Sequence, residues 1–394
     1  MVAMRSLTGA VLAAAVLALG LPLASASAQP GPGRVDYWGS YVGGGKADRQ
    51  VVPRSMSLPG QVAEVGTSNS TDYALLTNGT LYAWGNGSRG ELGDGGTADS
   101  FSAAVQVRFP AGVRIASIPT DVMPFDTALA VDTQGHVWGW GDNSAGQLCL
   151  GTSHHYLTPV ELPFSDVTAV AGAGLHAVYD ASGTLYSCGS GRYGELGDGS
   201  MQNARTPAQV RGLDGQSVTT VVASYADAGA LLSDGRYLDW GLDSEGQLGN
   251  GTVDQSSDVP VQVPLPGGVT QVAQGGSFNN NGQTIVMLSD GLLFGWGDGQ
   301  NYQLGNGQKG VFSSPVSFSA PNGVTYAKLA TSGATSYAVS TAGVVYAWGA
   351  GLAGQVGNGN RATAREPVAV DSGATSVSAT ADDVAVNLDN TRSG

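Results

Sequence analysis

Three stretches of this 394-residue chain have the form Gly-x-Gly-x-x-Gly: Gly85 to Gly90, Gly189 to Gly194 and Gly349 to Gly354. That spacing can cradle a pyrophosphate when it follows a strand and opens a helix inside a βαβ unit. Here each copy follows a hairpin pattern and all three recur at one long period, so they read as turns. No cofactor is expected. The four histidines are His136, His154, His155 and His176. His154-His155 stands in a polar loop with no further ligand at metal spacing, so no metal is expected either. A serine nucleophile would need a histidine oriented by a carboxylate, and no serine is singled out for that role. The aspartate-rich turns lack the nonapeptide and 12-residue calcium patterns. Hydrolysis of a polysaccharide would need two carboxylates converging at glycosidase separation, and the sequence selects no such pair. No catalytic residue is assigned, and the chain reads as a non-enzyme.

Those glycines are placed by a repeat. A Trp-Gly pair stands at Trp38, Trp84, Trp140, Trp240, Trp296 and Trp348, with Cys188-Gly189 filling the one gap, at intervals of 46 to 56 residues. A long fixed period marks a stacked or circular repeat. Six residues before the glycine of the pair stands a hairpin glycine: Gly79, Gly135, Gly183, Gly235, Gly291 and Gly343. β-type runs flank it, as Tyr73–Thr77 and Thr80–Trp84, which spells strand, tight turn, strand. After the pair come turns such as Glu91-Leu92-Gly93, Gln247-Leu248-Gly249 and Gln303-Leu304-Gly305, then a short proline-bearing strand at Pro207–Val210 or Pro260–Val263. Each unit is therefore about four short strands with two apolar faces, which only neighbouring units can cover.

The expected fold is an all-β, seven-bladed β-propeller of four-stranded blades. The first segment, Val35–Gly39, has a Trp-Gly pair without its opening strands. The last, Thr375–Asn390, has opening strands without the pair. Together they complete the last blade, closed by N- and C-terminal strands. The pair's tryptophan is the apolar plug between blades.

Residues 1–28 read as a signal peptide: Arg5, an apolar run from Leu7 to Leu23, and the small-x-small site Ala26-Ser27-Ala28. Residues 29–34 form a short linker and 35–394 the propeller. The expected location is secreted, with no membrane span after signal cleavage. Net charge is −14 and there are three lysines, Lys46, Lys309 and Lys328, which disfavours nucleic acid as a partner and favours a basic protein. Cys149 and Cys188 lie in adjacent repeats, and an oxidising compartment would permit one disulfide between them.

Leu232 to Gly235, Trp240-Gly241 and Gly246 to Gly249, like Gly343 to Gly349, resemble the regulator of chromosome condensation repeat family, and the resemblance covers nearly everything after residue 28. It implies the seven-bladed propeller. The family's opening-strand histidine is kept only at His176; Thr71, Thr127, Gln283 and Thr335 replace it elsewhere. The nuclear member's guanine-nucleotide exchange depends on a protruding wedge, and no matching insertion is present. A looser similarity links the chain to the propeller-type β-lactamase inhibitor protein, a secreted bacterial relative that binds its enzyme on one propeller face but lacks the Gly-Gln-Leu-Gly element.

The expected function is that of a secreted, monomeric binding scaffold for a protein or cell-surface ligand. The alternatives are an inhibitor of an extracellular enzyme such as a β-lactamase, a polysaccharide hydrolase or lyase, and an exchange factor by family analogy. The ligand face is expected on the variable loops before each second strand, with Asp121, Phe125, Asp126, Tyr225, Asp227, Phe278, Asp382 and Asp383 as its residues. Aromatic anchors ringed by charge suit protein recognition.

Overall fold

Strand follows strand because each β-branched or aromatic run ends in a glycine turn that only a short hairpin can use. A computed structural model describes residues 33–39, 50–119, 123, 125–276 and 282–379, and the backbone of 383–388. It contains β1 (Gly33–Gly39) and β2 (Gln50–Leu58), then a first sheet of β3 (Val62–Ser68), β4 (Thr71–Leu76), β5 (Leu81–Gly85) and β6 (Ser100–Gln106). The second sheet has β7 (Ile115–Ser117), β8 (Thr127–Asp132), β9 (Val137–Gly141) and β10 (Tyr156–Glu161). The third has β11 (Val167–Ala173), β12 (His176–Ala181), β13 (Thr184–Gly189) and β14 (Ala204–Gln209). The fourth has β15 (Val218–Ala223), β16 (Asp227–Leu232), β17 (Tyr237–Gly241) and β18 (Ser257–Gln262). The fifth has β19 (Val269–Gly276), β20 (Gly282–Leu288), β21 (Leu293–Asp298) and β22 (Val311–Phe318). The sixth has β23 (Tyr326–Thr331), β24 (Thr335–Ser340), β25 (Val344–Gly349) and β26 (Ala364–Ser372). β27 (Ala374–Ala379) and β28 (Asp383–Leu388) complete the chain.

The strands form seven four-stranded antiparallel sheets, six of them meanders. The closing sheet has the order β2-β1-β28-β27, so strands from both ends of the described chain share it; Tyr37 faces Ala385 and Val35 faces Asn387. The architecture is an all-β propeller of four-stranded blades. Second strands such as Thr71–Leu76 and Thr335–Ser340 are buried along their whole length, because a sheet lies against each face. Outermost strands are exposed and carry Pro159, Pro207, Pro260, Pro315 and Pro367, which remove a donor from an open edge. No helix among the described residues is long and apolar enough to cross a membrane.

Neighbouring sheets are joined by the tryptophan of the pair. All six of these tryptophans are fully buried. Indole Nε1 donates across the seam to a turn carbonyl of the preceding sheet: Trp140 to Glu91 at 2.8 Å, Trp240 to Glu195 at 3.0 Å, Trp296 to Gln247 at 2.9 Å, Trp348 to Gln303 at 2.9 Å and Trp38 to Gln355 at 2.9 Å. The indole lies on the glycine two residues later. A Cβ added to Gly197 would stand 2.8 Å from Trp240 Nε1, and Gly197 also has φ +64, so no other residue fits without strain.

One seam departs from this plan. Cys188 replaces the tryptophan and Cys149 replaces the turn glycine, and the two form a disulfide with Cα atoms 5.5 Å apart. Cys149 keeps the glycine's left-handed backbone at φ 60. The turn carbonyl of Gln147, deprived of an indole, accepts a 2.7 Å hydrogen bond from the Tyr179 hydroxyl instead. The disulfide thus fills the space of an indole–glycine contact.

The bridge spans 39 residues. Loop-closure entropy for that span corresponds to about 4 kcal/mol. Denaturant unfolding of Cys149→Ala/Cys188→Ala is expected to show a loss of that order, reproduced in the native chain by a reductant. The pair Cys149→Gly/Cys188→Trp should recover part of it by restoring the indole seam; equal stability of both double variants would rule out the substitution argument.

Candidate functional site

Residues from three successive loops, each following the first strand of a sheet, approach one another. Phe125 N donates to Gly174 O at 2.7 Å. Gly174 in turn has φ +53 and passes so close to the next loop that a Cβ there would meet Tyr225 O at 2.2 Å. This stacking brings Phe125, before β8, to Tyr225, before β16, with ring centroids 5.7 Å apart in an edge-to-face contact. Both side chains remain partly exposed.

Charged groups lie beside the aromatic pair. Arg89 Nη1 is 3.2 Å from Asp126 Oδ2 and 3.6 Å from Asp142 Oδ2. His155 Nδ1 is 2.8 Å from Asp142 Oδ1, and the Asp142 side chain is fully buried. Burial raises the Asp126 carboxyl above its usual range, and the Arg89 charge pulls it back. Asp126 also has a left-handed backbone, φ 51, and its carbonyl accepts from Asp142 N at 2.7 Å. The Arg192 guanidinium stands 5.4 Å from the Tyr193 ring centroid, and its charge opposes the burial that raises the Tyr225 phenol. Rings flanked by guanidinium and carboxylate groups can anchor a protein surface; the contacts around them pair no nucleophile with a base among the described residues.

Of the residues expected on the ligand face, Phe125, Asp126 and Tyr225 come together. Asp121, Phe278 and Asp382 lie outside the described residues. Asp383 opens β28, its backbone facing Gly39, and its side chain is likewise outside them. Asp227 requires a correction, because it is 1% exposed rather than presented to solvent. It opens β16, and its carboxylate turns inward to the Ser224 hydroxyl and to Gln274 Nε2 at 2.8 Å on the next sheet. The same Gln274 Nε2 donates to Asp239 Oδ1 at 2.9 Å. Two carboxylates do converge there, but both are sealed from any substrate, and burial raises both above the usual range.

Arg89, Asp142, His155, Arg192 and Tyr193 were not singled out from sequence. The available signal was variation inside the repeat: the position before the turn glycine holds Arg89, Ala145, Tyr193, Glu245 and Ala353. His176 is buried, and burial lowers it to about 4 against the smaller upward pull of a backbone contact with Asp227, so it stays neutral. No group of three or more metal-ligating side chains gathers among the described residues.

Comparison with known proteins agrees with this architecture. Residues 134–179, 182–226, 234–279 and 290–339 match the model of the Regulator of chromosome condensation (RCC1) repeat. The Ultraviolet-B receptor UVR8 of Arabidopsis thaliana is 29% identical over 335 residues, 82% of this chain and 74% of the receptor. The E3 ubiquitin-protein ligase HERC2 of Homo sapiens is 29% identical over 356 residues, 86% of this chain but 7% of the ligase, so the chain spans a small fraction of that protein. Among solved structures, Prp20p of Saccharomyces cerevisiae, described for its binding to Gsp1p and histones, superposes with a TM-score of 0.77 at 19% identity over 93% of each chain. Human WBSCR16 does so with a TM-score of 0.77 at 20% identity, over 90% of this chain and 98% of its own. These two likenesses bear on the fold.

The turn residue beside Arg89 generates a pH test. Glu91 is buried, and its carboxyl is pushed up to about 7, chiefly by loss of solvent. The corresponding turn residue is Gln at 147, 247, 303 and 355. A raised carboxyl favours folding while protonated. Its contribution is full below the ordinary value of 4.5 and is lost as pH rises through about 7. Glu91→Gln should therefore match the native chain at pH 4.5 and exceed its Tm at pH 8 by roughly 2 °C or more. A pH-independent difference would show that burial leaves this carboxyl at its ordinary value.

Proposed function

We propose that this chain is an exported, non-enzymatic binding scaffold whose closed, seven-bladed ring presents the Phe125–Tyr225 face to a protein partner. The observation that carries this reading is the aromatic pair itself, assembled from two different sheets and flanked by Arg89, Asp126 and Arg192. A latched frame loses little entropy on binding. The net charge of −14 favours a partner with a basic surface. Prp20p, described for its binding to Gsp1p and histones, is a protein-binding propeller of similar fold.

Export is part of the proposal. Its support is the leader-like stretch of residues 1–28 and the Cys149–Cys188 disulfide, a bond that persists in oxidising compartments. The Asp227–Asp239 pair is sealed, which argues against a glycan-cleaving reading of those two carboxylates.

Residues 29–394, immobilised beside the variant Arg89→Ala/Phe125→Ala/Tyr225→Ala, test the reading. Capture from culture supernatant and envelope extract, identified by mass spectrometry, should recover at least one protein on the native chain that the variant retains about tenfold less, equivalent to about 1.4 kcal/mol. Thermal melting of the variant checks that the ring is intact. Equal capture by both chains would exclude this face, and no specific capture would exclude the scaffold role.

A further inference from the structure

The axis of the ring holds a cavity of about 580 Å³ at the end opposite the Phe125–Tyr225 loops, lined from the opening halves of β3, β15, β19, β23 and β27. Its size falls within the range that takes small ligands. Two opposite charges line it: Glu64 on β3 and Lys328 on β23. They do not form an ion pair with each other. Glu64 is held by a hydrogen bond of 2.9 Å from Ile118 N to Oε2, which leaves Oε1 without a hydrogen-bond partner among the described residues. Among the same residues the Lys328 ammonium makes no ion pair or hydrogen bond, although Lys328 is near enough for its charge to draw the Glu64 carboxyl down against the upward push of burial. The Ser376 hydroxyl on the same wall is buried and has no hydrogen-bond partner among the described residues. Gln271 spends its amide N–H on Ala327 O at 2.6 Å, leaving its amide oxygen as an acceptor. Val272, Leu329 and Val377 supply an apolar part of the lining.

We propose that this axial cavity is a binding site for a small zwitterion, an ammonium and a carboxylate on one short carbon frame, with the ammonium at Glu64 and the carboxylate at Lys328. The charge pattern selects the class. A lone anion meets Glu64, and a lone cation meets Lys328. A zwitterion satisfies both charges at once, and its neutrality spares it repulsion by the negative field of the chain. Gln271 Oε1 offers a further hydrogen bond, and the apolar side chains accommodate the carbon frame. This inference is independent of the face proposed for protein binding, which lies at the other end of the axis.

Isothermal titration of residues 29–394 with glycine, 4-aminobutyrate and 6-aminohexanoate tests it, with butylamine and butyrate as single-charge controls. At least one zwitterion is expected to bind saturably with a Kd of about 1 mM or tighter, and the controls about tenfold more weakly or not at all. Glu64→Gln and Lys328→Met should each weaken that zwitterion about tenfold while leaving Tm unchanged. Because a glutamine side chain keeps the shape of the Glu64 side chain, loss of binding in Glu64→Gln with an unchanged Tm separates charge recognition from folding. Saturable binding by none of the three zwitterions, equal binding of a single-charge control, or full affinity in either variant would overturn the proposal.

Discussion

A buried indole N–H facing a turn carbonyl of the preceding sheet is the contact on which the rest of this ring depends. Each sheet alone would expose two apolar faces. Apolar burial presses sheets together without fixing their angle, because it is nondirectional. The Nε1 bond supplies direction, and the glycine under the indole sets the distance. Five seams repeat this geometry at 2.8 to 3.0 Å. A buried carbonyl left without its donor costs about 1–3 kcal/mol, so each seam resists slippage. The loops above can then be variable without the frame becoming so.

The repeat made most of the frame readable. Trp-Gly spacing, hairpin glycines and proline-bearing edge strands are local chemistry, and local chemistry survives in sequence. Phe125 and Tyr225 could be named as surface aromatics, but their meeting could not be foreseen. It depends on how closely the Gly174 loop lets its two neighbours approach, a distance that no single repeat encodes. Asp227 misled for a related reason. In a loop-adjacent position an aspartate looks solvated, yet here Ser224 and Gln274 receive it, and Gln274 belongs to another sheet. Arg89 and Asp142 were hidden because they belong to two different units, and unit-by-unit alignment says nothing about which variable residues face across a seam. The convergence of Glu64 and Lys328 on one cavity was equally invisible: β3 and β23 are far apart in sequence and separated by β27 in space.

The cysteine pair shows how the same mechanical need can be met by different chemistry. An indole over a glycine and a disulfide between two small residues fill similar space. They differ in directionality and in response to surroundings: one is a hydrogen bond with apolar burial, the other a covalent link sensitive to reductant. Transfer of the carbonyl's donor from indole to the Tyr179 hydroxyl kept the polar groups of the seam satisfied.

That link has a particular address. The seams on either side of it are the two whose turn carbonyl belongs to a glutamate, Glu91 and Glu195, and burial raises both carboxyls. The other described indole seams rest on glutamines. The two raised carboxyls therefore mark the joints flanking a rivet, and the second and third sheets, pinned together, form one plate between them. The aromatic pair straddles the edge of that plate, since Phe125 rides on it and Tyr225 stands on the sheet beyond.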